Sequence, residues 1–298
     1  MTSALFSRVC LGGAQFGMSY GVSNTRGVVG DADLDNILDL AKSVGITAID
    51  TAQVYGSSES RLGVARCGGF NFVTKMAPLS GCSRPVNEDT IVKQVATSFS
   101  NLNVDQLYGV LLHDPEELAQ PYSRLLVEIL RDFQLRGKIK KVGLSGREVN
   151  QTKELVSQFE LDLVQLPFNA LDRRLERSGG FDFFESLGVE IHVRSVFLQG
   201  LLLMKPHERP RFFNRWSDEL GFLDSQLNEL TPVEKIAALL KPAFDEQRIS
   251  KLVIGISSFD ELRDLVESVS LVPECQLNLP NTLTNAQDLL DPFRWELN

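Results

Sequence analysis

The chain has 298 residues, 43% of them apolar and 23% charged, ordinary proportions for a globular fold in water. Its 39 acidic against 30 basic side chains leave a net charge of −9, with the basic residues scattered, which excludes the basic face of a nucleic-acid binder. No stretch reaches the ~18 apolar residues of a membrane span, and Arg8 interrupts the only early apolar run where a signal peptide would need its core. Cys10, Cys67, Cys82 and Cys275 show neither CxxC pairing nor zinc-ligand spacing, and His113, His192 and His207 are far apart. The expectation is therefore a cytoplasmic protein with reduced thiols, without a sequence-local metal site, a membrane anchor or a nucleic-acid partner.

Taken in chain order, short β-branched or apolar runs alternate with amphipathic windows. Strands are expected at residues 9–12, 48–50, 72–75, 107–113, 141–145, 163–166, 190–194 and 251–254. Between them, Leu34, Ile37, Leu38 and Ala41 repeat at helical spacing, as do Leu126, Ile129, Leu130 and Phe133. Gly45, Gly137 and Gly188 punctuate helix ends just before strands. Repeated βα units imply a parallel sheet, and eight of them fit a closed (β/α)₈ TIM barrel of the α/β class better than a doubly wound sheet. The Gly12-Gly13 stretch lacks GxGxxG spacing, and no P-loop occurs. Nothing resembles a linker, so residues 1–298 are expected to form one domain, with an irregular tail from about residue 273 covering one mouth of the barrel.

In such barrels chemistry sits at the C-terminal ends of the strands. Those ends are Asp50, Lys75, His113, Ser145, Gln165 and Arg194. Tyr55, one of only four tyrosines, follows Asp50 by five residues. Singly, Asp50 reads as a loop-capping acid, Tyr55 as a rim aromatic and Lys75 as a solvated cation. Jointly they suit proton delivery to a developing alkoxide. A phenol has an ordinary pKa of about 10, and a nearby ammonium favours its ionised form. Asp50 would keep Lys75 charged, and His113 would orient and donate to the substrate oxygen. Among the other polar and aromatic residues, Glu59 reads as a local helix-start contact. Phe16, Tyr20, Phe168, Phe197, Phe212, Phe213, Trp216 and Trp295 are candidate mouth aromatics.

The stretch "DTAQVYGSSESRLG" at residues 50–63 resembles the Asp-Thr-Ala…Tyr-Gly…Glu…Leu-Gly signature of aldo-keto reductases. "FVTK" at 72–75 and "LLHDP" at 111–115 look like that family's lysine and histidine strands. The resemblance implies an NADP-dependent carbonyl reductase, with NAD as the other option, acting on a small aldehyde or ketone. Tyr55 would be the general acid, with Asp50, Lys75 and His113 completing the tetrad. "VGLSG" at 142–146 and "LVQLPFN" at 163–169 resemble the nicotinamide-carboxamide segments, which assigns Ser145 and Gln165 to the cofactor. "GLLLM" and "LVIGISS" sit where the family holds the pyrophosphate and adenosine end. Arg194, Ser195, Gln199, Gly200, Leu201, Gly255, Ser257 and Ser258 are accordingly the further cofactor candidates.

Three positions depart from the family pattern. Gly146 follows Ser145 where an asparagine is frequent. Arg194 replaces a ring-stacking tyrosine, and its charge suits an anionic group on a substrate. Ile256 stands where NADPH-preferring members place a lysine. Two other functions fit the same barrel: a cofactor-binding regulatory or partner subunit with little turnover, and an isomerase or aldolase using Lys75 as a Schiff-base amine. The sequence leaves the oligomeric state open.

Overall fold

The computed structural model describes residues 2–65, 68–81, 85–280 and 283–297; Cys67 and Cys82 lie outside them. Eight strands close into a parallel barrel in sequence order. They are β1 (Val9–Gly12), β2 (Ala48–Asp50), β3 (Asn71–Met76), β4 (Leu107–Leu112), β5 (Ile139–Ser145), β6 (Leu163–Pro167), β7 (Glu190–Arg194) and β8 (Ile249–Gly255). Each is followed by a helix on the outside: α1 (Asp31–Val44), α2 (Ser58–Val64), α3 (Glu88–Leu102), α4 (Ser123–Leu135), α5 (Val149–Phe159), α6 (Gly180–Ser186), α7 (Pro232–Asp245) and α8 (Phe259–Leu271). This is the (β/α)₈ architecture expected from the alternation.

Helix starts and stops follow local chemistry. Thr231 and Glu234 form a reciprocal capping box ahead of Pro232 at the start of α7. Ser258 accepts from the Glu261 amide (3.2 Å) and caps α8. Gly45 closes α1 in the left-handed conformation (φ 92°), and Gly137 and Gly188 are left-handed at the positions expected to end helices.

The apolar residues divide by strand face. Successive side chains alternate, so each strand sends one set outward to the helices and one into the barrel. The outward set joins the helix faces in the main core, for example Leu11, Val110, Leu144 and Val164 with Leu38, Val95 and Leu130. The inward set is small: Val73, Leu111 and Leu163 fill the lumen. Two residues further along each of those strands, on the same side, stand Lys75, His113 and Gln165. The period of two that packs the lumen thus also aims the polar groups at its C-terminal mouth. At the opposite end His192 is buried and pairs with Glu190 (2.8 Å), which also accepts from the Tyr108 hydroxyl (2.8 Å).

A second apolar cluster lies over the mouth. Leu198, Leu201, Phe213, Trp216 and Leu223 of the long β7–α7 connection pack with Leu289 and Leu290 of the tail. Trp295 meets Phe213 edge to face at 4.8 Å. Of the mouth aromatics expected from sequence, Tyr20 and Phe197 line the cavity. Phe16 and Phe168 instead belong to the main core, and Phe213 and Trp216 to this second cluster, because strand and helix packing claims them first.

Arg8 closes the barrel from outside. Its guanidinium donates to the carbonyls of Ala243 (3.0 Å), Phe244 (2.7 Å), Glu246 (2.7 Å) and Ile249 (3.1 Å), and it lies over the Phe244 ring. Burial lowers its pKa while Glu246 and Asp245 oppose that. It satisfies the carbonyls that α7 leaves open at its C-terminus and ties them to the start of β1. Arg8→Met should cost about 2–4 kcal/mol, since several buried acceptors lose their partner. Urea unfolding measures this, and a midpoint equal to wild type would show that the anchor is dispensable.

Candidate active site

The loop after β2 is built to present Tyr55. The Thr51 and Gln53 amides donate to the Val73 and Lys75 carbonyls (2.8 and 3.0 Å), lacing the loop onto β3. Ser58 Oγ donates to the Gly13 carbonyl (2.7 Å) and lies 2.9 Å from Thr51 Oγ1, tying the start of α2 to the end of β1. Gly17 and Gly56 pass so closely that a Cβ on Gly17 would stand 2.0 Å from the Tyr55 carbonyl. A side chain there would push the tyrosine out of place. Glu59 accepts from Thr74 Oγ1 (2.6 Å) and Asn101 Nδ2 (3.0 Å). It therefore braces β3 and α3 rather than making the local contact expected, since its helix turns it inward.

Asp50, Tyr55, Lys75 and His113 converge. Lys75 is 1% exposed and donates to Asp50 Oδ2 and to the Thr51 carbonyl (3.1 Å). Its Nζ lies 5.1 Å from the Tyr55 ring centre. Burial works against the ammonium, but the Asp50 carboxylate and the Tyr55 phenol outweigh it and raise the lysine's pKa. From across the barrel Gln165 Nε2 donates to the other Asp50 oxygen (2.7 Å). His113 meets Tyr55 edge to face, with centroids 5.7 Å apart. Burial, then the charges of Lys75, Arg194 and Arg147, push the His113 pKa down to about 3, so its imidazole is neutral at ordinary pH. Burial raises the pKa of Tyr20, the other tyrosine of the cavity, and disfavours it as a proton donor.

A cavity of about 370 Å³ runs from this cluster to the turn between β8 and α8. Ser145, Gln165, Arg194, Ser195, Gln199, Gly200, Gly255 and Ser257 all line it. Leu201 does not; it is fully buried in the second apolar cluster. Ser258 does not either, because its hydroxyl is spent capping α8. Sequence reasoning missed Gln15, Arg147, Glu261, Asp264 and Phe293, which are also on the wall. Their common signal is position just beyond a strand end or in the tail, where no residue type stands out.

The wall after β7 is strained. Among the described residues five non-glycines have positive φ; Asn103 and Glu160 close helices, and the other three are Ser195 (58°), Leu198 (48°) and Gln199 (55°). The segment at residues 20–24 fastens onto this turn: Gln199 Nε2 donates to the Tyr20 hydroxyl (3.1 Å), and Ser23 Oγ to the Gln199 carbonyl (3.4 Å).

A nicotinamide dinucleotide is compatible with this wall. Gln15 Oε1 is buried without a hydrogen-bond partner beside Gly255, whose missing Cβ would fall 2.5 Å from Gln15 Nε2. Among the described residues no three His, Cys, Asp or Glu side chains group to hold a metal ion, and no helix is long and apolar enough to cross a membrane.

These features define a (β/α)₈-barrel enzyme with its polar centre at the C-terminal mouth. Comparison with known proteins narrows the class. The sequence model of the aldo/keto reductase family matches residues 8–273, and the chain belongs to that family of carbonyl-reducing oxidoreductases. It is 27% identical over 203 residues to the NADH-specific methylglyoxal reductase of Escherichia coli, a match covering 58% of this chain and 60% of that enzyme. To D-arabinose 1-dehydrogenase of Saccharomyces cerevisiae it is 26% identical, over 80% of this chain and 77% of the relative. The fold superposes on an aldo-keto reductase from Bacillus halodurans in its holo form with a TM-score of 0.70, at 21% identity and over 97% and 95% of the two chains.

A neutral His113 predicts a pH signature. The unfolded chain takes up its proton near the ordinary 6.5, the folded one only near about 3. The stability this residue contributes is complete above 6.5 and lost as pH falls toward 3. In an NMR titration its ring resonances should stay flat from pH 8 to about 4.5. An inflection between 6 and 7 would refute the neutral assignment.

Proposed function

We propose that this protein reduces a small aldehyde or ketone to the alcohol, with Tyr55 as proton donor and a nicotinamide dinucleotide as reductant. The observation that carries the reading is the convergence of Tyr55, His113 and Asp50 on the wall of one cavity, with Lys75 buried behind them against Asp50 and the Tyr55 ring. A bound NAD(P)H supplies the hydride to the carbonyl carbon. Tyr55 gives its phenolic proton to the carbonyl oxygen as that oxygen becomes an alkoxide. The Lys75 ammonium stabilises the phenolate left behind, and Asp50 keeps that ammonium charged. His113, being neutral, both orients the substrate oxygen and donates an N–H bond to it. A lysine held charged is a poor Schiff-base nucleophile, which weighs against the aldolase or isomerase alternative. A purely regulatory subunit would have no use for the buried ion pair.

For the cofactor, Ser145 and Gln165 are assigned to the nicotinamide carboxamide. Gln165 spends its amide N–H on Asp50 and keeps its carbonyl oxygen for the ligand. Ser195, Gln199 and Gly200 are assigned to the diphosphate, and Gly255 and Ser257 to the adenosine end. The family resemblance implies NADP, but the side chains at that end favour NAD(H). Glu261 lines the wall and accepts from the Ser257 amide (2.7 Å), withdrawing that amide from a phosphate. Asp264 adds a second carboxylate to the wall. Arg263 is paired with Asp260 (3.1 Å) and also lies 3.7 Å from Asp264. A 2′-phosphate would meet like charge there, whereas ribose hydroxyls can donate to Glu261. The name of the Escherichia coli relative states the same preference for NADH.

Tyr55→Phe should lower kcat by at least ~10²-fold while leaving the NADH dissociation constant within about twofold. Stopped-flow reduction of the best carbonyl together with cofactor fluorescence titration checks both halves; near-normal turnover would remove Tyr55 from its role. NADH should bind at least ~10-fold more tightly than NADPH at low salt. Glu261→Gln with Asp264→Asn should narrow that gap in the same titration. Equal wild-type affinities would return the assignment to NADP.

A further inference from the structure

The tetrad end of the cavity carries two cations that the reduction chemistry leaves unexplained. Arg147, just past β5, and Arg194, the last residue of β7, share the wall with Tyr55 and His113. Elsewhere in this acidic protein, several half-buried arginines have carboxylate partners, Arg131 with Asp162 at 2.6 Å, Arg174 with Asp172 at 2.8 Å and Arg209 with Asp224 at 2.5 Å, while Arg8 is saturated by four backbone carbonyls. Among the described residues Arg147 and Arg194 have none. Arg194 donates only to neutral oxygens, the Gly146 carbonyl (3.0 Å) and Ser195 Oγ (3.3 Å). Among the described residues the Arg147 guanidinium has no hydrogen-bond partner; it lies 3.9 Å from the ring centre of Phe293.

That contact matters because it gives the guanidinium an apolar partner and no acceptor, which leaves its N–H donors free. A planar fork held this way matches the two oxygens of a carboxylate or phosphate. Neighbouring acids are engaged elsewhere: Glu148 pairs with Arg174 (3.2 Å), and Asp50 holds Lys75 and Gln165. Glu261 and Asp264 belong to the β8–α8 end.

We propose that Arg147 and Arg194 form an oxyanion-binding subsite, and that the substrate is a small carbonyl compound carrying a carboxylate or phosphate. This rests on the reading of the tetrad as a carbonyl-reducing centre and names its substrate class. The anion could instead be the cofactor diphosphate. Topology favours the substrate for Arg147, since β5 pairs with β4, whose end carries His113, while β6 and β7 separate it from β8. Seated there, the anion holds the carbonyl beside Tyr55 and offsets the positive charge of the two guanidiniums.

The test compares 2-, 3- and 4-carboxybenzaldehyde with the corresponding nitrobenzaldehydes, which match them in shape but are neutral. For the best isomer, the carboxy-to-nitro ratio of kcat/KM should fall roughly tenfold in Arg147→Met, mainly through KM, with partial recovery in Arg147→Lys. The NADH dissociation constant, read by fluorescence, should stay within about twofold. A constant ratio overturns the proposal; an NADH affinity weakened in parallel transfers Arg147 to the cofactor diphosphate and overturns it too. Calorimetric binding of benzoate against benzamide, with NAD⁺ present, needs no turnover. Preference for benzoate that is lost in Arg147→Met supports the subsite even if no aldehyde is reduced, in which case the catalytic reading alone falls. No preference for benzoate, together with active reduction of neutral aldehydes, leaves the reductase standing and removes the subsite.

Discussion

A buried ion pair organises this molecule. Taking Lys75 and Asp50 out of water costs several kcal/mol per ion, and only complete local satisfaction offsets it. The structure supplies that satisfaction from two distant segments: the Thr51 carbonyl and the Tyr55 phenol of the loop after β2 beside the lysine, and Gln165 of β6 on the far side of the aspartate. The barrel must close in correct register for these groups to meet. The lumen beneath is filled by Val73, Leu111 and Leu163, so on that side the pair meets apolar packing and its polar partners are the fixed groups around it. An organised, dry ammonium next to a phenol is also what a proton donor to an alkoxide requires.

The convergence of Asp50, Tyr55, Lys75 and His113 was legible in the sequence because polar groups of such barrels gather at strand ends, and strand ends can be read from alternation and glycine punctuation. The boundaries moved little: β3 runs to Met76, and β4 stops at Leu112, leaving His113 as the first loop residue. Ser145 and Gln165 were legible for the same reason. Leu201 and Ser258 were not, since membership of a motif does not say which side chains turn inward; one turned to the apolar cluster and the other to a helix cap.

What the sequence hid are contacts between residues distant along the chain. Arg147 acquires its meaning from Phe293 in the tail, and Glu59 from Thr74 and Asn101. Glu261 takes its place on the cavity wall together with its bond to the Ser257 amide, a contact no residue pattern announces. The aromatics of the β7–α7 connection were ambiguous because a ring over a barrel mouth can pack or bind equally well. Only the second apolar cluster, sealed by the tail, sorts them.

The distribution of charge along the cavity has a wider effect. Two guanidiniums face one end, and two carboxylates stand at the other. The channel is therefore a fixed dipole whose field extends into the solvent at its mouth. An elongated ligand that presents its anionic group to the wrong end meets repulsion before any contact forms. Orientation is sorted during approach, and reversed encounters are discarded quickly rather than having to be released from the site.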